Sequence, residues 1–400
     1  MIMAREMKNS GVKWIGEIPS HWEVKRLKYL TSLVSCAGSS ATKIGLENIE
    51  SKTGKYIATE SDFEGFGQDV EIGDIVYGKL RPYLCKVWLA DFKCSAVGDF
   101  YVFRPNNKIC NCYLQKVLVS ERFNAICTAA TYGTKMPRVS SQFMFDQYIP
   151  LPPLPEQRAI ADYLDAKCAE IDGLLADLDA EVKTLAEYKK SIIAETVTRG
   201  LNPTAPMKPS GIPWAETIPA HWKTARGKYA FRLLQRPVKE DDGVVTCFRD
   251  GEVTLRSNRR EEGFTISTKE YGYQGIEPGD LVVHGMDGFA GSIGISDSRG
   301  KGTPVLNVLD SDHDKRYLMY YLRNMAYGDV FLSLSTGIRV RSCDLSWKKL
   351  GEIRIVLPPI AEQQAIAAYL DEKCASIDQS ITDKQTQAET LKAYKASLIY

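Results

Sequence analysis

The chain has 400 residues, 44% of them hydrophobic and 25% charged, with a formal net charge of +1. This is the composition of a soluble globular protein large enough for two domains, and the near-neutral balance is by itself a weak argument against nucleic-acid binding. No apolar run approaches the ~20 residues that span a bilayer, and we expect no signal peptide and a cytoplasmic location. The ten cysteines lack a metal-binding spacing and fit a reducing compartment.

The first feature along the chain is a short segment, residues 10–22, with two tryptophans, Trp14 and Trp22, and one histidine, His21. Two tryptophans in so short a piece indicate an irregular segment fixed onto a larger body. Since no acidic residue lies at a fixed spacing from His21, we favour a packing role for this histidine over a role as ligand or base.

A β-rich region follows, in which short apolar runs alternate with Gly, Asn and Asp turn signals. The runs at 75–77, 84–89 and 100–103 predict strands, and a helix is expected near 113–129. In the second half of the chain, strands are predicted at 281–283 and 293–295, and a helix near 315–334.

A long helix is predicted from Pro155 to about Thr198. The prolines at its start fit the approach to a helix and its first turn, and Glu156 lies near the positive end of the helix dipole. Apolar residues then recur at steps of four and three, the heptad pattern of a helix that packs against another helix. These positions are Leu164, Cys168, Ile171, Leu175, Leu178, Val182, Leu185 and Ile192.

The segment with two tryptophans and the start of the long helix each occur twice in the chain. Residues 357–378 match 151–172 at 16 of 22 positions, and residues 210–222 match 10–22 at seven of 13 positions. The chain therefore contains two copies of one unit. The second heptad seam comprises Leu370, Cys374, Ile377, Ile381, Ala388, Leu391 and Leu398.

We expect the two seams to bury against each other within one chain, and a coiled coil between two chains is the alternative. Lys189, Lys384 and Lys395 fall on the seams, where their stems can pack while the ammonium groups reach water.

The predicted fold class is α+β. Two β-rich globular domains are joined by two long antiparallel helices that form an intrachain coiled coil with an internal pseudo-twofold repeat. The predicted parts are a first domain at 1–152, a first long helix at 153–199, a Pro-rich linker at 200–213, a second domain at 214–358 and a second long helix at 359–400.

Charge is distributed unevenly between these parts. Residues 11–150 contain 17 basic and 14 acidic residues, whereas 156–200 contain six basic and ten acidic residues. The second copy shows the same contrast, with 21 basic and 19 acidic residues at 211–357 but four basic and six acidic residues at 361–400. A phosphate backbone would favour the globular parts over the helices.

We find no catalytic site and no metal site in the sequence. Residues 73–79 fit half of a P-loop, but Leu80 stands where Ser or Thr must bind magnesium. Residues 63–67 fit the F-x-G-x-G pattern of S-adenosylmethionine methyltransferases but do not follow an apolar strand. The carboxylates and lysine at 179–183 lie on the heptad helix, where a solvated face explains them.

With no catalytic or metal site in the sequence, a role in molecular recognition remains. Basic, polar and aromatic side chains cluster at two turns of each copy, and as a set they favour DNA, although for any one of them a surface salt bridge explains the residue equally well. The candidate DNA-binding residues are Lys79, Arg81, Tyr83, Lys86, Lys135 and Arg138 in the first copy and His284, Arg339 and Arg341 in the second.

Four motifs carry a family resemblance. They are the Trp segment at 14–22, the strand and loop at 73–83, the Leu-Pro-Pro helix entry at 151–157 and the helix end at 185–193, with further copies at 214–222, 357–363 and 391–399. With these motifs in this order, the sequence resembles the DNA-specificity subunits of type I restriction-modification systems.

The resemblance implies two target-recognition domains, each reading one half of a split duplex DNA sequence, and paired helices that act as a ruler. It implies a subunit without catalytic activity and without a cofactor of its own. Two modification subunits would methylate adenine with S-adenosylmethionine, and restriction subunits would use ATP and magnesium. A protein-interaction scaffold with no DNA role is the alternative.

The resemblance also implies docking surfaces for the partner subunits on the acidic helices and the Trp segments. The residues expected there are Trp14, Trp22, Glu156, Gln157, Tyr163, Tyr188, Trp214, Trp222, Glu362, Gln363, Tyr369 and Tyr394.

Overall fold

The computed structural model describes residues 6–60, 63–259, 271–333 and 345–399. The chain forms two compact units: unit 1 comprises Met1–Leu178 and Thr386–Tyr400, and unit 2 comprises Asp179–Gln385. Both units combine antiparallel strands with helices, so the predicted α+β class is confirmed.

Unit 1 begins with a series of short strands. The strands are β1 (Met7–Asn9), β2 (Glu17–Pro19), β3 (Glu23–Arg26), β4 (Thr31–Leu33), β5 (Lys43–Ile44), β6 (Gln68–Val70), β7 (Ile75–Gly78), β8 (Val87–Leu89), β9 (Cys94–Ala96), β10 (Phe100–Pro105) and β11 (Tyr148–Leu151). The helices that follow are α1 (Asn111–Val119), α2 (Glu121–Ala129), α3 (Ser141–Asp146) and α4 (Leu154–Arg199), the last of which continues into unit 2.

The main sheet of unit 1 has the strand order β4-β10-β7-β8 and is antiparallel throughout. Alternate residues of its central strand β7 enter two different cores, as the two-residue period of a strand requires. Ile75 and Tyr77 pack with α1 and α2, whereas Val76 packs with the small three-stranded sheet β5-β9-β6. Because both faces of the strand are buried, its successive residues are all apolar and do not alternate with polar ones.

Two sequence predictions in this region need correction. The predicted strand at 84–89 is shorter, because Cys85 has a φ of 50° and only Val87–Leu89 pair as a strand. The helix predicted near 113–129 is two helices, since Ser120 ends α1 and its hydroxyl accepts a hydrogen bond from the Phe123 amide at the start of α2.

Unit 2 contains twelve strands among its described residues. They are β12 (Met207–Pro209), β13 (Thr217–Pro219), β14 (Lys223–Arg226), β15 (Arg232–Leu233), β16 (Val245–Cys247), β17 (Val253–Leu255), β18 (Gln274–Ile276), β19 (Leu281–His284), β20 (Ile293–Ile295), β21 (Gly300–Gly302), β22 (Leu306–Asp310) and β23 (Arg354–Leu357). Its helices are α5 (Gly227–Ala230), α6 (Lys315–Tyr327), α7 (Val330–Ser333), α8 (Trp347–Glu352) and α9 (Ile360–Ile399), and the last of these continues into unit 1.

Unit 2 repeats the frame of unit 1. Its main sheet has the order β15-β22-β19-β20, and the pairs β12-β13 and β14-β23 correspond to β1-β2 and β3-β11. The remaining strands correspond only in part. The pair β18-β21 repeats β6-β9 at an offset of 206, whereas β5 joins β6-β9 into a three-stranded sheet in unit 1 and unit 2 has the separate pair β16-β17. Part of the predicted linker also takes part in this frame, because Met207–Pro209 pairs with β13.

The helices α4 and α9 pack together, as predicted. In unit 2, Lys384 pairs with Glu181, and Lys189 lies 2.7 Å from Asp378. Because the later residue of α4 pairs with the earlier residue of α9, the two helices are antiparallel. Unit 1 has the corresponding pair of Lys395 with Asp172.

Every apolar residue of the two predicted seams is buried or half-buried. The ammonium groups of the seam lysines were predicted to reach water. Each of them instead pairs with a carboxylate of the opposite helix. Among the helices of the described residues, none has the length and apolar content needed to cross a membrane.

Candidate nucleic-acid interface

The structure brings together the two turns of unit 1 that the sequence singled out. The Arg81 amide donates to the carbonyl of Pro137 at 2.8 Å, and the Val139 amide donates to the carbonyl of Lys79 at 3.2 Å. A β-bridge also links Leu80 with Arg138. Turns that lie more than 50 residues apart in the chain therefore form one surface.

The first turn has an unusual backbone. Arg81 has a φ of 52° and Cys85 a φ of 50°, both in the left-handed region that residues with a side chain rarely adopt. They flank a short 3-10 turn, Pro82–Leu84, which leaves Tyr83 half-exposed. Such conformations cost of order 1–3 kcal/mol each and tend to cluster where a side chain must be aimed.

Two of the basic side chains on this surface are paired with one carboxylate, that of Asp99. Arg138 donates two hydrogen bonds to Asp99, at 2.9 and 2.8 Å, and these bonds lower the pKa of the Asp99 carboxyl. Lys79 lies 3.8 Å from the same carboxylate and over the ring of Tyr101. Asp99 thus balances part of their charge and orients both side chains.

The structure corrects the prediction for Lys86. Its ammonium donates to the carbonyls of Leu46 and Ile49, at 2.7 Å each, and burial lowers its pKa. It therefore holds the segment containing residues 46–49 to the main sheet instead of facing a ligand. The sequence could not reveal this, because the acceptors lie about 40 residues upstream.

Arg81, Tyr83 and Lys135 are exposed on this surface. Sequence reasoning did not include Tyr132 and Met136, which are 59% and 47% exposed on the second turn. The glycine after Tyr132, with a φ of 88°, was the available signal for a tight turn that presents its neighbours.

In unit 2, the imidazole of His284 is part of the turn itself. Its Nδ1 accepts the amides of Met286 and Asp287, at 3.2 and 3.0 Å, and burial lowers the pKa of His284. A neutral, acceptor Nδ1 gives this histidine a structural role, not that of a cation for phosphate. The other two candidates, Arg339 and Arg341, lie outside the described residues.

Several residues expected to bind partner subunits clamp the start of each long helix. Glu156 accepts the Trp22 indole N–H at 3.1 Å and lies 2.8 Å from Nε2 of His21. In unit 2, Glu362 likewise accepts the Trp222 indole N–H at 2.8 Å and lies 2.7 Å from His221. The acidic partner that the sequence did not reveal for the histidines is thus the first-turn glutamate.

The neighbouring glutamines are completely buried. Gln157 accepts the Cys110 amide at 2.7 Å and donates to the Pro152 carbonyl, and Gln363 makes the equivalent bonds with Asp314 and Pro358. Both glutamines and Trp222 have essentially no exposed surface. As a correction, these three side chains are unavailable for docking in the folded chain.

The remaining docking candidates divide by burial. Trp14 packs edge-on against Phe123, and the Trp214 indole donates to the Tyr321 hydroxyl at 3.3 Å, so both belong to the fold. Tyr369 is half-buried against the core of unit 2. Three tyrosines are about half-exposed on the long helices: Tyr163, Tyr188 and Tyr394.

The described residues contain no group of three or more His, Cys, Asp or Glu side chains arranged to hold a metal ion. The residues 63–67 that resembled a cofactor motif precede the short strand β6. The guanidinium, ammonium and phenol groups exposed on this surface are of the kinds that contact phosphates and base edges.

Comparison with known proteins identifies this architecture. A family model described as "Type I restriction modification DNA specificity domain" matches residues 19–184. The chain is 26% identical over 192 residues to the type I restriction enzyme EcoDI specificity subunit of Escherichia coli, a match that covers 46% of this chain and 43% of that subunit. The chain thus spans less than half of that relative in this match.

A longer match is found with the type I restriction enzyme MjaVIII specificity subunit of Methanocaldococcus jannaschii, 24% identical over 86% of this chain and 79% of that subunit. A chain from a solved structure of a type I restriction-modification system has the same fold, with a TM-score of 0.71, 20% identity and coverage of 96% and 97%. The chain is therefore similar to type I restriction-modification DNA-specificity proteins, through residues 19–184 in the family model and through nearly its whole length in fold.

Proposed function

We propose that this chain is a non-catalytic specificity subunit that reads a bipartite duplex DNA target, with one half-site read by each unit. The observation that carries the proposal is the joined pair of turns in unit 1, which presents Arg81, Tyr83 and Lys135 on one face. Arginine and lysine contact phosphates, and arginine also reads guanine edges in the major groove. The repeated frame of unit 2 supports a second reader of the same kind.

The packed helices α4 and α9 would set the number of base pairs between the two half-sites. An antiparallel pair with a continuous apolar seam resists bending better than a single helix, which is the property that a spacer needs. The ion pairs between the two helices and the buried seam positions support this role.

The partners we propose are two modification subunits, which would supply S-adenosylmethionine and adenine methylation, and restriction subunits, which would supply ATP- and magnesium-dependent translocation and cleavage. The exposed tyrosines of the long helices, Tyr163, Tyr188 and Tyr394, are candidate contacts. This chain would hold no cofactor of its own and would act in the cytoplasm, where its DNA is found.

The test of DNA reading is a duplex-binding titration at several salt concentrations. Phosphate contacts predict that log K falls linearly with log salt, with a slope of roughly −0.9 for each phosphate neutralised. A shallow, salt-independent curve would instead favour a protein-interaction scaffold.

The test of the spacer is a matched insertion of one heptad in α4 and in α9, within residues 178–190 and 378–390. Seven residues lengthen a helix by roughly 10 Å, which is about three base pairs of duplex. Methylation mapping in a host with the partner subunits should then show unchanged half-sites and a longer spacer. An unchanged spacer would contradict the ruler.

A further inference from the structure

The most exposed large apolar side chain of the described residues is Phe66, at 93%. It stands between Gly65, with a φ of +100°, and Gly67, in the loop that leads into β6. Leaving a phenylalanine side chain in water forfeits roughly 1.5–3 kcal/mol that its burial would contribute. The ring is therefore available to a ligand outside the chain.

The loop and the candidate nucleic-acid interface are linked by one short segment of unit 1. A Cβ on Gly67 would lie only 2.9 Å from the Ala96 backbone, so this loop is directly against the end of β9. Asp99, which binds Arg138 and the Lys79 amide, follows Ala96 after three residues, a span of at most about 11 Å. The Phe66 loop and the basic turns therefore contact the same short segment, residues 96–99.

The surroundings of Phe66 are open to a large ligand. The Gly38 amide donates to the Gly67 carbonyl at 2.9 Å, which places a further glycine at this edge, beside two exposed or half-exposed serines, Ser39 and Ser40. Residues without bulky side chains allow close approach of another backbone. The Phe66 ring is thus exposed beside glycines and serines, which have small side chains.

Unit 2 presents an aromatic ring at the corresponding place. Tyr271 is 77% exposed and precedes Gly272, which has a φ of +72°, just before β18. β6 and β18 are related by the internal repeat, since Gln68 and Gln274 are 206 positions apart. The rings are offset by one residue, but in both units an exposed aromatic and a left-handed glycine introduce the same strand.

We propose that Phe66 is a DNA wedge, which inserts its ring between adjacent base pairs of the half-site read by unit 1. Apolar side chains that enter a base step unstack it and kink the duplex, at a cost repaid by additional protein contact. The inference rests on the proposed function and adds a deformation of the DNA to the contacts made by the basic turns. Sequence selectivity would follow from the base step that unstacks most easily.

The experiment uses the full chain assembled with its modification subunits and a duplex carrying the target found by methylation mapping. Phe66→Ala is compared with Ile72→Ala, which removes a 65% exposed apolar residue beyond the other end of β6. Loss of one stacking contact predicts roughly 10-fold weaker binding for Phe66→Ala and no change for Ile72→Ala. Phe66→Trp should keep wild-type affinity.

Two further readouts separate a wedge from a phosphate contact. Phe66→Ala should leave the salt dependence of binding unchanged, whereas Lys135→Ala should reduce its slope by about one. A 2-aminopurine base placed at successive steps of the half-site should brighten at one step with the wild-type protein and stay quenched with Phe66→Ala.

Equal affinity and equal 2-aminopurine emission for Phe66→Ala and wild type would overturn the wedge while leaving DNA reading intact. Weaker assembly with the modification subunits but unchanged DNA binding by the assembled fraction would identify Phe66 as a subunit contact and also overturn it. If the wild-type complex shows no salt-dependent duplex binding, the proposed function itself fails, and the wedge with it.

Discussion

Among the basic side chains near the two turns of unit 1, burial distinguishes those that maintain the fold from those that face solvent. Lys86 and Lys135 are the same residue type and both belong to the set predicted to bind DNA. The Lys86 ammonium donates hydrogen bonds to two backbone carbonyls, whereas the Lys135 side chain is exposed. The two lysines therefore make a matched pair for mutagenesis.

We predict that Lys86→Ala lowers the stability of unit 1, because it leaves the carbonyls of Leu46 and Ile49 without their shared donor. The expected loss is about 1–3 kcal/mol, measured by urea unfolding. Lys135→Ala should change stability by less than about 0.5 kcal/mol and weaken DNA binding instead. If Lys86→Ala weakened DNA binding and Lys135→Ala lowered stability, both lysine roles would be wrong.

His284 should make the stability of unit 2 depend on pH. Burial lowers its pKa in the folded chain, so near pH 6 the unfolded chain binds more protons than the folded chain. The free energy of unfolding should therefore rise as pH increases through about 6.5 and level off above that.

The comparison for His284 is His284→Asn, whose side-chain oxygen can still accept the Asp287 amide. This variant should show a smaller gain in the urea midpoint between about pH 5.5 and 7.5 than the wild type. The other histidines contribute equally to both proteins, so the difference isolates His284. Identical pH profiles would show that protonation of its imidazole has no effect on folding.

At the scale of elements, the two long helices are joined by ion pairs that obey the internal repeat. Asp172 and Asp378 are 206 positions apart, as are Lys189 and Lys395. Asp172 pairs with Lys395 in unit 1, and Asp378 pairs with Lys189 in unit 2. One ancestral contact between helices is thus present twice, with its acid and base exchanged between the helices.

We predict a measurable coupling within the pair in unit 2. Lys189→Glu should destabilise the packing of α4 on α9 because it places two carboxylates together, and the swap of Lys189→Glu with Asp378→Lys should restore most of the loss. Since Asp378 is 55% exposed, the coupling energy from a double-mutant cycle should be only about 0.2–1 kcal/mol. A non-additivity of zero would mean that the seam alone holds the helices.

Each helix entry is also held by contacts from distant elements. The first-turn glutamate accepts the indole of a tryptophan more than 130 residues earlier, and the next glutamine binds the backbone before the domain helix. These contacts tie the irregular Trp segments to the helices. The carbonyls of Pro152 and Pro358 complete the clamp by accepting hydrogen bonds from these glutamines.

At the scale of the whole molecule, a common frame carries different insertions in its two copies. The main sheets have the same strand order, whereas the smaller sheets beside them differ. The two units therefore present different side chains on one frame, as two readers of different half-sites would require.

We predict that exchanging residues 30–135 for those of a relative with a different target rewrites one half-site and leaves the other half-site and the spacer unchanged. Methylation mapping of the chimera in a host with the partner subunits provides the measurement. The control is the equivalent exchange in unit 2, which should rewrite the opposite half-site. Loss of both half-sites in either chimera, with the protein still folded, would argue against modular reading.

The sequence by itself determined the duplication, the two long helices and their seams, because identity at a fixed offset and a heptad period are local patterns that need no knowledge of contacts. It also located the two turns of unit 1. Only the tertiary structure decided that Lys86 is internal, that Asp99 orients Arg138 and that Glu156 clamps Trp22. Partners so far apart in the chain meet only after folding, and no spacing rule encodes which charges are neutralised when they do.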